Sequence, residues 1–125
     1  MKAYLVDTHI FLWFMAGETK RLTPDVLNLL VSPENKMYLS TASIWEMIIK
    51  QSVGKLKIPS NLKEAISLSG FSILDIKSDH VFELKSLSDY HKDPFDRILI
   101  SQAKVEELTL ISQDEKVKKY NVKLA

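Results

Sequence analysis

The stretch "AYLVDTHIFLW" (residues 3–13) joins a short apolar run that favours a β-strand to an aspartate, Asp7, and then to a second apolar run. Four more strand-like runs follow along the chain: "MYLS" (37–40), "FSIL" (71–74), "LTLI" (108–111) and "VKL" (122–124). Such near-continuous apolarity is typical of strands that are buried on both faces, as in a parallel sheet.

Segments of helical character separate these runs. They are "TPDVLNLLVS" (23–32), "SIWEMIIKQS" (43–52), "NLKEAISLSG" (61–70), "SDHVFELKSL" (78–87) and "DPFDRILISQAKVEEL" (93–108). Strands separated by helices predict right-handed crossovers and a parallel sheet that is covered on both faces. We therefore expect an α/β fold of three layers, α/β/α, around a central, mostly parallel sheet of four or five strands.

The composition of the 125-residue chain, 46% hydrophobic, indicates a globular domain with a substantial core. We expect one domain over residues 1–125, since no stretch is rich in glycine or serine like a linker. The absence of cysteine excludes disulfides, thiolate zinc sites and cysteine nucleophiles, and it fits the cytoplasm. The longest apolar run, residues 10–16, is far shorter than the ~20 residues that span a bilayer, so we expect neither signal peptide nor membrane anchor.

Four carboxylates stand near predicted strand ends and helix starts. Asp7 follows "YLV", Glu46 follows "MYLSTAS", Asp96 opens the helix before the fourth strand, and Asp114 follows "LTLIS". Because all strands of a parallel sheet finish at one edge, where ligands bind, we expect these four side chains to share one rim. Helix N-termini at Glu46 and Asp96 are expected to add partial positive charge there.

Carboxylates that share a rim favour a bound cation. Without one, mutual repulsion forces one or more of them to bind a proton. Hard oxygen ligands, without cysteine and without clustered histidines, indicate Mg²⁺ or Mn²⁺ rather than zinc.

Each acid also has a purely structural interpretation, which for any single residue is at least as well founded. Asp7 fits an Asx-turn, Ser43 with Glu46 and Ser112 with Glu115 fit capping boxes, and Asp114 fits a helix cap. Asp93 fits an N-cap before Pro94, with Asp96 in the first turn, and for Asp93 we favour that structural role. Taken together, the acids favour a chemical site.

At "YLVDTHIFLW", "SIWEMIIK", "DPFDRILISQA" and "LTLISQD", the chain resembles the PIN-domain nucleases, and in particular the VapC-type toxins of toxin–antitoxin pairs. The resemblance runs nearly end to end and rests on the order and spacing of the four motifs. It implies that Asp7, Glu46 and Asp96 are the three principal acids of a metal site and that Asp114 is a fourth. It also implies supporting roles for Thr8 and Ser112, while Asp93 belongs to the "DPFDR" form of the third motif.

The resemblance further implies an activity and partners. It implies hydrolysis of RNA phosphodiester bonds, with Asp7 and Asp96 as direct metal ligands. Glu46 then binds metal or orients the water that attacks, and Asp114 binds metal directly or through water. A homodimer and a small antitoxin protein are implied as partners.

Lysines, tryptophans and histidines of the chain carry weaker information than the four acids. Setting aside the four acids leaves 12 acidic against 17 basic residues, so the rest of the chain is basic. Candidates for contacts with RNA phosphates are Lys50, Lys55, Lys57, Lys116, Lys118 and Lys119, although any one of them fits a solvated surface better. Trp13 and Trp45 are candidates for base stacking, but their helical, apolar context favours packing in the core or in a dimer. His9, His80 and His91 are isolated in the sequence, and we assign none of them a catalytic role.

Two other functions stay open. A Mg²⁺-binding phosphoacceptor signalling domain, with Asp75 as the acceptor after "FSIL", needs an acid pair after the first strand, but Asp7 is followed by Thr8. A catalytically silent PIN-like interaction domain needs none of the four acids. Phosphodonor labelling of Asp75 distinguishes the first, and RNA cleavage distinguishes the second.

Overall fold

The computed structural model describes residues 2–54, 58, 60–120 and 122–125. Its sheet contains β1 (Lys2–Val6), β2 (Asn35–Ser40), β3 (Ser72–Leu74) and β4 (Thr109–Ile111). The strands lie in the order β3-β2-β1-β4, and every pairing between neighbours is parallel. The carboxyl ends of β1, β2 and β4 therefore meet at one edge of the sheet.

Six α-helices connect or follow these strands within the described residues. They are α1 (Thr8–Met15), α2 (Pro24–Val31), α3 (Thr41–Ser52), α4 (Leu62–Leu68), α5 (Ser78–Glu83) and α6 (Pro94–Glu106). Short 3₁₀ turns at Thr19–Arg21, Leu84–Ser86 and Val117–Lys119 complete the chain path. No helix of the described ranges is both long and apolar enough to cross a membrane.

The side chains of β1 alternate between two hydrophobic cores. Tyr4 and Val6 pack with buried residues of α1, α2 and α4 on one face. Leu5 packs with buried residues of α6 on the other face. Both faces of β1 are therefore covered, which holds the strand in place. Asp7 follows the strand directly and is positioned by it.

The predicted three-layer α/β/α fold with a parallel sheet is confirmed, with four strands. The expected fifth strand at residues 122–124 is reduced to a single parallel bridge between Leu110 and Leu124. The apolar run at residues 10–16 forms most of α1. The helix expected over residues 78–87 ends early, at Glu83, and continues as a 3₁₀ turn.

Candidate metal centre

Asp7 stands at the carboxyl end of β1, between the ends of its neighbours β2 and β4. It caps α1, because its Oδ1 accepts a hydrogen bond of 2.9 Å from the backbone N–H of Ile10. Burial raises the pKa of Asp7, while hydrogen bonds from Ile10 and Ser112 counteract that rise. The helix start thus fixes a buried carboxyl group at the edge of the sheet.

Glu46 lies in the second turn of α3 and is buried. Its Oε1 is 2.7 Å from the hydroxyl of Thr8, which in turn lies 2.9 Å from the hydroxyl of Ser43. A hydroxyl has one proton, so Thr8 donates to the carboxylate and accepts from Ser43. The Oε2 atom of Glu46 accepts a hydrogen bond of 2.6 Å from the ammonium of Lys50, one turn further along the helix. Both oxygens of Glu46 therefore have donors.

Asp96 and Asp114 come from different segments and meet at His91. The Nε2 atom of His91 is 2.8 Å from Oδ2 of Asp96 and 3.1 Å from Oδ2 of Asp114. Asp96 is in the first turn of α6, and Asp114 lies in the loop after β4. Ligand atoms of these three residues all lie within 4.8 Å of one another.

Negative charge accumulates around Asp96. Burial and the surrounding carboxylates raise the pKa of Asp96 to about 7, while His91 acts to lower it. The carboxylates that act in this way are Asp93, Asp7 and Glu46. Asp7 and Glu46, although distant in sequence, thus lie near enough to Asp96 for their charges to act on it.

Unlike those of Asp96, the surroundings of Asp114 and Lys50 shift the pKa of each group towards its charged form. Partial burial raises the pKa of Asp114, but hydrogen bonds from Lys116 and His91 outweigh this and hold it below the usual value. Partial burial lowers the pKa of Lys50, but its bond to Glu46 outweighs that and holds the pKa above the usual value. Lys50 is therefore a firmly charged ammonium beside the acids.

The donor set fits a hard divalent cation. Asp7, Asp96 and Asp114 offer carboxylate oxygens, the ligands that Mg²⁺ and Mn²⁺ prefer. The raised pKa of Asp96 indicates that the protein alone does not compensate the negative charge of the site. A bound cation offsets that charge, so Asp7, Asp96 and Asp114 are the residues that suit direct coordination.

Several solved structures with the same fold are VapBC proteins. VapBC2 from Rickettsia felis, bound to a DNA fragment from its promoter, superposes with a TM-score of 0.72 at 19% identity, covering 98% of this chain and 97% of that one. DNA-bound VapBC from Salmonella typhimurium gives a TM-score of 0.67 at 13% identity, covering 99% and 96%. VapBC-1 from nontypeable Haemophilus influenzae gives 0.62 at 16% identity, covering 94% and 90%. At these identities the likeness establishes the shared fold.

Sequence comparison decides the family. No curated protein sequence matches the chain. The profile of the PIN domain matches residues 4–123, which is nearly the whole chain. The chain belongs to the PIN domain family. The family resemblance inferred from the four motifs is therefore confirmed.

The structure of this PIN domain brings the predicted acids into one region, but in two groups. Asp96 and Asp114 share a contact with His91, whereas Glu46 is bound to Thr8 and Lys50. Asp7 follows β1, between the ends of β2 and β4, and its Oδ1 is bound to the N–H of Ile10. Their roles as metal ligands and catalytic residues remain predictions.

Three of the expected caps are wrong. Helix α3 begins earlier than its sequence suggests. Its N-cap is Ser40, so Ser43 and Glu46 do not form a capping box, and Glu46 is too far along to benefit from the helix N-terminus. Ser112 likewise forms no box with Glu115, since its hydroxyl accepts from the N–H of Asp114. Asp114 caps no α-helix but closes an Asx-turn, accepting from the N–H of Lys116 at 2.8 Å.

The cap predicted for Asp93 is confirmed. Its Oδ1 accepts hydrogen bonds from the backbone N–H groups of Phe95 and Asp96, at 2.8 and 3.3 Å, and Pro94 is the first helical residue. Because this carboxylate also raises the pKa of Asp96, the residue contributes to the electrostatics of the site from a capping position.

Sequence reasoning missed His91 and left the packing of Trp45 open between the core and a dimer. His91 contacts two of the four acids, and the only indication in the sequence is its position two residues before Asp93. Trp45 is 59% exposed and packs edge-on against Phe95, so it is not a core residue, and packing in a dimer stays a prediction for it. Trp13 is half-buried, as expected for a core residue, and the guanidinium of Arg21 lies over its ring.

Proposed function

We propose that this PIN domain is an endoribonuclease that depends on Mg²⁺ or Mn²⁺ and hydrolyses RNA phosphodiester bonds. The observation that carries the proposal is geometric: Asp96 of α6 and Asp114 of the loop after β4 meet at His91, at the edge of the parallel sheet where Asp7 also lies. Burial and the neighbouring carboxylates raise the pKa of Asp96, in agreement with this crowding of like charge. A structural salt bridge needs no such concentration of like charge. A site that binds a divalent cation does.

The residues of the site have distinct roles in this proposal. Asp7 and Asp96 bind the cation directly, and Asp114 binds it directly or through water. A bound divalent ion lowers the pKa of a water molecule and offsets the charge on the phosphate and on the leaving oxygen. Ser112 keeps the loop of Asp114 in place through the hydrogen bond to its backbone N–H.

Glu46 is assigned the orientation of the attacking water rather than direct coordination. Thr8 and Lys50 donate to its two oxygens, at 2.7 and 2.6 Å, and these bonds fix the direction of the carboxylate. A carboxylate that is paired with an ammonium gives up more to bind a metal than one whose donors are backbone or imidazole N–H groups. The Lys50 ammonium, beside the acids, is also suited to contact an RNA phosphate.

The RNA-binding surface is proposed to lie around the acids. Lys116, Lys118 and Lys119 are exposed just after Asp114, although Lys118 is paired with Glu115 at 3.0 Å. Lys55 and Lys57 lie outside the described residues. The basic excess beyond the four acids supports RNA as the substrate class.

The biological role proposed is that of a cytoplasmic toxin in a toxin–antitoxin pair. The fold shared with VapBC proteins supports an antitoxin partner for this chain as well. The exposed apolar side chains of α3 and α5 support a homodimer. Family membership disfavours the alternative of a phosphoacceptor domain with Asp75.

Cleavage of structured RNA by the purified protein tests the chemistry. We expect cleavage with Mg²⁺ or Mn²⁺ that stops on chelation, and a loss of at least 100-fold in Asp7→Asn and Asp96→Asn, because each loses a charged ligand. Both variants should stay folded by circular dichroism, since an asparagine oxygen still accepts the Ile10 N–H at position 7. Asp75→Asn, an exposed aspartate after β3, is the matched control and should cleave normally.

Three results would contradict the proposal. Cleavage that survives both site substitutions or chelation refutes a metal-dependent site at these acids. A folded wild-type protein that binds Mn²⁺ but cleaves no RNA supports the silent interaction domain. Phosphodonor labelling that disappears in Asp75→Asn supports the phosphoacceptor domain.

Growth measurements test the toxin role separately. Expression of the wild-type chain in a bacterial host should arrest growth, and Asp96→Asn at the same protein level should not. Co-expression of the small protein encoded next to this gene should restore growth. Undisturbed growth at a verified protein level would reject toxicity and leave the nuclease chemistry untouched.

A further inference from the structure

His91 lies between two of the four acids and contacts both of them through Nε2. It lies in the loop before α6 and is 8% exposed. The two carboxylates that it contacts come from segments that are distant in the sequence. Asp96 belongs to α6, and Asp114 belongs to the loop after β4. A side chain that contacts both sets the distance between them.

Hydrogen bonds assign the tautomer of the imidazole. The backbone N–H of Asp93 donates to Nδ1 of His91 at 3.2 Å, so Nδ1 carries a lone pair and not a proton. The proton of the neutral ring is then on Nε2, the atom that faces Asp96 and Asp114. An Nε2–H group donates to carboxylates but cannot bind a cation, because its lone pair belongs to the ring.

The backbone of His91 is held from two sides. Its N–H donates to the hydroxyl of Tyr120 at 2.9 Å, and its carbonyl accepts from Nη1 of Arg97 at 3.2 Å. Nη1 of Arg97 also lies 3.1 Å from the Tyr120 hydroxyl and 2.9 Å from the carbonyl oxygen of Ser88. Because Tyr120 is buried, we expect these hydrogen bonds to hold the backbone of His91 firmly and so to fix the direction of its imidazole.

We propose that His91 is a positioning residue that donates its Nε2–H to Asp96 and Asp114 and so holds both carboxylates in place for a divalent cation. The inference rests on the proposed metal site and adds a residue to it. His91 is thereby a donor to the ligands and not itself a ligand. Partners that orient metal ligands in this way typically contribute 10–100-fold to metal affinity.

Two substitutions separate the donor from the bulk of the ring. His91→Gln keeps an N–H group near the position of Nε2, and His91→Met keeps comparable size without a donor. We expect His91→Met to bind Mn²⁺ at least about tenfold more weakly than wild type by calorimetry, and His91→Gln to recover most of that loss. Equal weakening in both variants would overturn the proposal, because a ligand role loses its imidazole nitrogen in either case.

His80 provides a matched control with the same chemistry away from the site. It is fully buried, its Nδ1 accepts from the N–H of Lys77 at 2.9 Å, and its Nε2 lies 2.8 Å from Glu106 at the other end of α6. His80→Met should lower stability to a similar extent but leave Mn²⁺ affinity within about threefold of wild type. A similar loss of affinity in His80→Met would mean that His91→Met acts through general destabilisation.

The tautomer can be read in the wild-type protein without any substitution. A two-bond ¹H–¹⁵N spectrum should show His91 with the proton on Nε2, both before and after addition of Mg²⁺. A proton on Nδ1, or loss of the Nε2 proton when Mg²⁺ binds, would overturn the proposal even if every variant misfolds.

These readouts need no RNA, so the two proposals fail separately. Wild type that binds Mn²⁺ in the predicted way but cleaves no RNA refutes the ribonuclease and leaves the role of His91 standing. Metal-dependent cleavage with unchanged Mn²⁺ affinity in His91→Met refutes the role of His91 and leaves the ribonuclease standing.

Discussion

Asp96 combines burial with the proximity of like charges, and this combination has a consequence for stability. The carboxyl of an unfolded aspartate titrates near pH 3.8, whereas burial and the charges of its neighbours raise the pKa of Asp96 to about 7 in the folded protein. The folded state therefore binds this proton more tightly than the unfolded state does. The resulting stabilisation is complete below about pH 3.8 and is lost as the pH rises through about 7.

The first stability prediction follows for Asp96→Asn, which cannot ionise. Without metal at pH 8, we expect its free energy of unfolding to exceed that of wild type by on the order of 2 kcal/mol. This gain is smaller than the free energy that corresponds to the whole pKa difference, because about a fifth of the Asp96 side chain remains in solvent, which screens its charge. Urea denaturation at pH 4 and pH 8 measures this, and the difference should nearly vanish at pH 4.

Divalent metal provides the complementary measurement. Mg²⁺ should raise the melting temperature of wild type more at pH 8 than at pH 5, since the carboxylate must be ionised to bind it. Asp96→Asn should lose most of this response, and Asp75→Asn should keep it. A response to Mg²⁺ that is independent of pH in wild type would be inconsistent with the raised pKa.

The elements that carry the site differ in how far the sequence determines them. β1 was predictable because Tyr4, Leu5 and Val6 are apolar on both faces, and α6 because Asp93 and Pro94 mark its start locally. The start of α3 was not, since Ser40, Thr41 and Ser43 are all suitable caps and the sequence alone does not rank them. The choice of Ser40 depends on where β2 ends, which is set by pairing with β1 and β3.

The contacts between elements were the least predictable part of the site. Resemblance supplied the four acids, but it gave no indication that Thr8 and Lys50 would donate to Glu46. The first contact depends on how α1 packs against α3, a tertiary property. His91 was missed for the same reason, because a lone histidine in a loop has no local pattern that reports its distance from Asp114.

The end of α6 stores a local strain that a substitution can relieve. Glu107 follows the helix with φ of 56°, the left-handed conformation that usually requires glycine. We expect Glu107→Gly to raise the free energy of unfolding by about 0.5–1 kcal/mol, measured by urea denaturation. Gly17→Ala, at φ of 73° and with open space around an added Cβ, is the reverse control and should lower it by about 1 kcal/mol. A loss of stability in Glu107→Gly would contradict the assigned strain.

On the scale of the whole molecule, helices α3 and α5 both carry exposed apolar side chains. Trp45, Ile48 and Ile49 lie on one side of α3, spaced three and four residues apart, and are exposed. Val81 and Phe82 of α5 are exposed as well, and a groove between Trp45 and Val81 connects the two helices. We call these five residues the apolar face. Monomeric proteins rarely leave such a face in water.

We expect the apolar face to be covered by a second copy of the chain, as proposed above. Ile48→Glu combined with Phe82→Glu places four charges in a symmetric interface, where they cannot be solvated, so the protein should become monomeric. Light scattering coupled to gel filtration at about 50 μM measures the mass, with wild type expected as a dimer. Leu68→Glu changes an apolar residue on α4 that is more exposed than Ile48 or Phe82 and lies outside the apolar face, and it should leave the dimer intact. A monomeric wild type, or a dimer that Leu68→Glu breaks and the double substitution does not, would assign the face to another partner.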